Sequence, residues 1–240
     1  PAMENPPIDI FGLTILEPIT SLTAVLVSIV CLYAFFQLSK LPRHDRVHHF
    51  FRYYFLSMAV ATAVGGIIGH AFLYAFTFAW KLPGWITSMC SIALIERASI
   101  EHARPLIRPA VGRFFAVMNI LELLTFLTVV FLTLDFFFVE AHSFYGLMIV
   151  VFSFQGYDYY RTHNEGSRYV LYAVGVMAVS ALIFMNELAI SRWFNHFDIS
   201  HVLMAIAAWL FYQGARRLQP LQRQSDVVSR SRREAVAEKS

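Results

Sequence analysis

Charge and cysteine are both scarce in this sequence. Asp, Glu, Lys and Arg make up only 15 % of the 240 residues, whereas hydrophobic residues make up 58 %. Soluble domains carry about 25 % charged residues, so the composition excludes an ordinary soluble protein. The two cysteines, Cys31 and Cys90, both fall inside apolar runs. The sequence therefore predicts neither a disulfide framework nor a cysteine-ligated metal site.

Long apolar runs take the place of the missing charge. Runs of about 20 residues, the length that crosses a bilayer, recur along the chain. They predict an all-α polytopic membrane protein, in which residues 1–215 form a bundle of seven transmembrane helices and residues 216–240 a basic cytoplasmic tail. The first run is long and has no basic leader, so no cleavable signal peptide is expected. The predicted spans are about 13–37, 51–77, 84–104, 110–133, 136–158, 168–190 and 197–215.

The Lys and Arg residues predict the orientation. Of the 19 Lys and Arg residues, only Lys81 and Arg192 fall on one side of the predicted bundle. Because positive residues accumulate on the cytoplasmic side, the N-terminus is expected outside and the C-terminus inside, in the plasma membrane or the inner membrane of a bacterium. Topology alone explains the basic residues, so nucleic-acid binding is not expected. The expected partners are membrane lipids and, through the bundle or the basic tail, another membrane protein.

In this orientation, ionisable residues from four spans reach a common level near the outer face. Glu17 is expected about one turn into span one, His70 ends span two, Glu187 closes span six, and Asp198 and His201 open span seven. Ionisable groups at such a depth are costly and mark functional sites. Two imidazoles and a carboxylate suit a zinc site that keeps one position for water. The sequence therefore nominates His70, Asp198 and His201 as zinc ligands.

The same residues have a structural interpretation. Asn195 or Asp198 would cap the last helix, and Glu17 would stand at the start of the first. His70 and His201 would then form hydrogen bonds to neighbouring helices. From the residues alone, both interpretations stay open.

A second polar set is predicted deeper and toward the inside. Glu96 and Arg97 lie in span three, Asn119 and Glu122 in span four, and Asp158 in span five. Glu122, near the bilayer centre, is expected to be paired or protonated because an isolated charge there is costly. The set is either a structural network with Arg97 as its counter-ion or part of a proton or ion path.

The outer residues and the topology resemble those of the alkaline ceramidases in the CREST superfamily, which is related to the progestin/adipoQ receptors. The features that carry the resemblance are seven spans with the N-terminus outside, Glu17 in span one, His70 ending span two and His201 in span seven. Proteins of this kind are seven-helix zinc hydrolases that cleave a lipid amide inside the membrane. The resemblance implies zinc ligation by His70 and His201.

Three positions differ from the pattern of that superfamily. Gly66 stands where the pattern has a serine, and Phe197 stands where it has the first histidine of the last pair. Span three has no carboxylate before Glu96. Asp198, next to Phe197 and on the same helix face as His201, is expected to replace the missing ligand.

Two functions are therefore compared. The first is a zinc-dependent intramembrane hydrolase of a lipid amide or ester bond, with Glu17 as the catalytic proton shuttle. The second is a non-enzymatic receptor-like, transport or assembly subunit of a membrane complex. Span seven has no lysine, which excludes a retinal Schiff base. Whether the protein is an enzyme stays open from the sequence.

Overall fold

A computed structural model describes residues 5–42 and 45–219, most of which are helical. The elements in chain order are strands β1 (Ile8–Ile10) and β2 (Leu13–Ile15), then helices α1 (Pro18–Ser39), α2 (Arg46–Val64), α3 (Leu82–Ala103), α4 (Pro109–Thr133), α5 (Phe137–Phe144 with Phe152–Thr162), α6 (Glu165–Met185) and α7 (His196–Arg217). Helix α2 continues as a π-helix over Gly65–Ala71, and α5 contains a π-helix over Tyr145–Val151.

Six of these helices, α1 to α6, are long and apolar enough to cross a membrane. Helix α7 spans 22 residues but begins with the polar residues His196, Asp198 and His201. The predicted all-α class is confirmed, and length and composition identify a membrane protein with six candidate spans in the part of the chain described.

The start of the first helix differs from the prediction. Strands β1 and β2 pair antiparallel across Phe11 and Gly12, whose φ angles are 51° and 80°. Positive φ at both turn residues is typical of two-residue hairpins. Helix α1 then begins at Pro18, a residue that suits the first position of a helix. Glu17 therefore precedes α1 and does not lie one turn inside it.

The first two residues of the predicted tail belong to a helix. Arg216 and Arg217 form the last turn of α7, where basic side chains complement the helix dipole. The rest of the tail, residues 220–240, lies outside the described residues.

Helix α2 begins five residues before the predicted span because Asp45 caps it. The Asp45 carboxylate accepts hydrogen bonds from the His48 backbone N–H at 3.0 Å and from His48 Nδ1 at 2.7 Å. Burial acts to raise the pKa of Asp45, but the hydrogen bonds and charge of His48 outweigh it. The net pKa of Asp45 lies below its ordinary value of 3.8.

Replacing Asp45 with Ala is expected to lower the free energy of unfolding near neutral pH by about 1 kcal/mol, the usual value of an N-cap. Because the folded-state pKa is lowered, the stabilisation is present above the unfolded-state pKa and is lost as the pH falls through the folded-state value. Thermal unfolding in detergent, followed from neutral pH to below about pH 4, measures this. An unchanged acid-dependent loss in the Ala variant would contradict the assignment.

The helices pack in a bundle in which α1 lies between α2 and α7, and α7 lies between α1 and α6. The core of the bundle is formed by buried apolar side chains, among them Phe51, Phe55 and Phe211. The first turn of α6 contacts the end of α7 through glycine. A Cβ on Gly166 would lie 2.5 Å from the backbone nitrogen of Leu218. Small residues thus allow the two backbones to approach closely.

Candidate functional site

Three outer residues come together from the position before α1, the π-helical end of α2 and the beginning of α7. Glu17 Oε2 lies 2.6 Å from His70 Nδ1, and the rings of His70 and His201 are in edge-to-face contact with centroids 5.9 Å apart. The backbone N–H of Leu16 donates to the carbonyl of Ala71 at 3.1 Å. This bond joins the residue before Glu17 to the residue after His70 and fixes the pair.

The hydrogen bonds are compatible with the same tautomer in both histidines. The Glu17 carboxylate accepts the Nδ1 proton of His70. Thr23 Oγ1 lies 3.0 and 3.1 Å from the carbonyl oxygens of Ile19 and Thr20 and 3.2 Å from His201 Nδ1. When its one hydrogen is donated to a carbonyl, the His201 ring donates to Oγ1. Both imidazoles then carry hydrogen on Nδ1 and have the lone pair on Nε2, the form that binds a metal.

Asp198 is held by protein donors. Its side chain is 0 % exposed and accepts hydrogen bonds from Asn5 Nδ2 at 3.2 Å, Thr20 Oγ1 at 2.8 Å and the Asn195 backbone N–H at 2.7 Å. Asn195 and Asp198 form a capping box at the start of α7. Asp198 therefore joins the N-terminal segment, α1 and α7, as the structural interpretation requires.

Three other residues that the sequence analysis named lie beside the outer cluster or outside it. Glu187 is exposed in the turn after α6, with φ of 50°, and does not join the cluster as predicted. The Phe197 ring packs against His70 with centroids 5.8 Å apart. A Cβ on Gly66 would lie 3.0 Å from Ala24 Cβ and 3.1 Å from the carbonyl oxygen of Ser21. A serine at this position would force α1 and α2 apart.

A second cluster lies among α3, α4 and α5. Glu96, Glu122 and His142 offer ligand atoms that all lie within 4.8 Å of one another. Among the described residues, these three form the group that could hold a metal ion. His142 Nδ1 lies 2.6 Å from Glu122 Oε1. Sequence reasoning missed His142, because the predicted start of span five at residue 136 left it near a loop.

Arg97 is not the counter-ion of Glu122. Its guanidinium bonds Glu101 Oε1 at 3.1 Å and the carbonyl oxygen of Ala116 at 2.8 Å. Glu101 lies one turn further along α3, where an i, i+4 pair forms readily. His142 is the group that pairs with Glu122, which corrects the prediction.

The other predicted inner residues divide between two places. Asn119 joins the inner cluster, because its Nδ2 donates to Glu96 Oε2 at 3.2 Å and to the carbonyl oxygen of Ala93 at 3.1 Å. Asp158 belongs to a separate network, in which it accepts from the Ser167 hydroxyl and lies 3.5 Å from His102 Nδ1.

No curated protein and no solved structure matches this chain. One family model does match, over residues 19–220, which include His70, His201 and all three inner ligand candidates and leave out Glu17. Since this match covers most of the sequence, the chain belongs to the family of unknown function DUF6962.

Proposed function

We propose that this protein is an intramembrane hydrolase that cleaves a lipid amide or ester bond at the outer cluster with the help of a zinc ion. The observation that carries the proposal is the contact of His70 with His201, whose rings meet edge to face with centroids 5.9 Å apart. Catalytic zinc sites use three protein ligands and a water, and two neutral imidazoles with free Nε2 lone pairs would supply two of the three.

The proposal includes a seventh membrane crossing by α7 and an outer location for the cluster. Helix α7 packs against α1 and α6, both of which are long and apolar enough to span. The distribution of Lys and Arg favours an N-terminus outside, which sets Glu17, His70 and His201 toward the outer surface.

The donor set fits zinc through its two imidazoles, and a carboxylate supports one of them. The Glu17 carboxylate bonds Nδ1 of His70, the ring nitrogen that would not ligate the zinc. Such a carboxylate is common in zinc sites, where it orients the ring and raises its basicity. Asp198 does not fit as a third ligand, since its oxygens are taken by Asn5, Thr20 and Asn195. A bound zinc would supply the Lewis acid that polarises a lipid carbonyl and activates water.

The chain's own residues position this chemistry. Glu17 keeps the Nδ1 proton of His70 in place, and the Thr23 hydroxyl does the same for His201. The Phe197 ring lies against His70 and offers an apolar wall on that side. Because Glu17 remains partly exposed, with 29 % of its side chain accessible, it is also placed to move a proton to a leaving group.

Replacing His201 with Ala is expected to remove one zinc per chain and all hydrolysis, because one of only two imidazole ligands is lost. Glu17→Gln is expected to weaken zinc binding by about 10- to 100-fold, as loss of a supporting carboxylate does. Elemental analysis of detergent-purified protein measures the metal. Hydrolysis is followed with a fluorescent ceramide as the amide and a fluorescent monoacylglycerol as the ester.

His49→Ala is the matched control, since this imidazole is exposed in the first turn of α2, far along that helix from His70. It should leave zinc content and activity unchanged. Equal zinc content in the wild-type and His201→Ala proteins would reject the hydrolase.

A second candidate function rests on the inner cluster. Glu122 and His142 form a buried pair between helices, which is the kind of group that carries protons or ions in transport proteins. Loss of biological activity in Glu122→Gln with outer zinc retained would favour this non-enzymatic function over hydrolysis.

A further inference from the structure

The inner cluster has features that neither lipid hydrolysis nor helix packing uses. Glu96 and His142 are 0 % exposed, and the Glu122 side chain is 9 % exposed. Each comes from a different helix, so their convergence is a property of the fold and not of one local segment. Buried charged groups persist where they are paired or bind an ion.

The tautomer of His142 is fixed from outside the cluster. Its Nε2 lies 3.0 Å from the carbonyl oxygen of Met89. A carbonyl only accepts hydrogen bonds, so Nε2 carries the hydrogen. The lone pair of a neutral ring is then on Nδ1, which points at Glu122 Oε1 from 2.6 Å. At 2.6 Å the two atoms share a proton, and a metal ion bound to both would replace that proton and hold them somewhat further apart, since each metal–ligand bond is about 2.0–2.2 Å long.

Each of the two carboxylates in the cluster has one oxygen without a hydrogen-bond partner among the described residues. The two atoms, Glu96 Oε1 and Glu122 Oε2, are buried. Arg97, the next residue along α3, is turned toward Glu101 and away from the cluster. Two carboxylates and a neutral imidazole in a medium of low dielectric constant become neutral with two protons or with one divalent cation.

The surroundings favour the divalent cation. Met89 supports the far nitrogen of His142, and Asn119 supports the far oxygen of Glu96, as outer residues do around bound metals. The π-helix Tyr145–Val151 brings Gly146 against Glu96, and a Cβ there would lie 2.5 Å from Glu96 Oε1. Because glycine has no side chain, the Glu96 carboxylate fits beside Gly146 and has room next to the other two ligands.

We propose that Glu96, Glu122 and His142 form a buried binding site for one divalent transition-metal ion, ligated by the two carboxylates and Nδ1 of His142. One nitrogen and two carboxylates suit Zn²⁺, Co²⁺, Fe²⁺ or Mn²⁺. The site is separate from the outer cluster, so it stands whether or not the protein is a hydrolase.

The test uses the full chain in detergent with both outer imidazoles removed by His70→Ala and His201→Ala. After chelator treatment this double variant is titrated with Co²⁺ and, separately, with Zn²⁺. The expected result is one metal per chain after desalting, visible Co²⁺ absorption bands, and a rise in the thermal unfolding temperature. Adding Glu122→Gln or His142→Gln is expected to abolish all three.

Glu101→Gln is the matched control, because this acid lies on the same helix but pairs with Arg97 and Arg104. It should bind metal like the double variant. Glu96→Gln, which keeps the size of the side chain, gives a second ligand test if another variant fails to fold. Absence of bound metal in the folded double variant, or binding unchanged by Glu122→Gln, overturns the proposal. Neither outcome bears on zinc at His70 and His201.

Discussion

Gly166→Ala is expected to lower the free energy of unfolding by about 3 kcal/mol, the upper range for overpacking. The added Cβ would lie 2.5 Å from the Leu218 nitrogen and 2.7 Å from its Cα. Backbone atoms cannot rotate away as a side chain does, so α6 and the end of α7 must separate. Thermal or denaturant-induced unfolding in detergent measures the loss.

Gly175→Ala on the same helix is the matched control. A Cβ at that position meets nothing within 4 Å. Ala is the better helix former, so this variant is expected to gain up to about 1 kcal/mol. Similar stability of the Gly166 and Gly175 variants would show that α6 and α7 are not in close contact.

Asp198→Ala is expected to cost about 5 kcal/mol, near the lower end of the sum of its three hydrogen bonds, and to leave zinc binding unchanged. Three donors, on Asn5, Thr20 and Asn195, lose a charged acceptor, and each such hydrogen bond contributes about 1.5–3 kcal/mol. Unfolding in detergent gives the free energy, and elemental analysis of the same sample gives the zinc content.

Asp9→Ala controls for loss of an acid near the N-terminus, since Asp9 is exposed on β1. Its effect is expected to stay within about 0.5 kcal/mol. A stable Asp198→Ala protein that has lost zinc would restore Asp198 as a ligand, as the sequence alone suggested.

The sequence predicted the helices well because the length of an apolar run is a local property. Boundaries failed where one polar residue decides them, as Asp45 does for α2. The hairpin before α1 was missed for a related reason. Its strands are apolar and adjoin the helix, so hydropathy alone merged them with span one.

The pairing of polar groups was predictable only in part. His70 and His201 were expected at one level because each ends or begins a span, and the structure brings their rings together. The partner of Glu122 was not predictable, since His142 lies on another helix with no spacing rule to link them. The hydrogen bonds of Asp198 were not predictable either, because its donor Asn5 precedes every helix and no periodic pattern includes it.

The π-helical stretch Gly65–Ala71 affects how the chain tolerates a change in length. A π-helix accommodates one more residue than an α-helix over the same distance. Deleting one residue near the start of this stretch would therefore return it to regular α-helical winding and leave its end, where His70 lies, near its present position. In a regular α-helix the same deletion would rotate everything after it by about 100°. The pairing of His70 with Glu17 thus has a reserve of one residue in the segment that carries it.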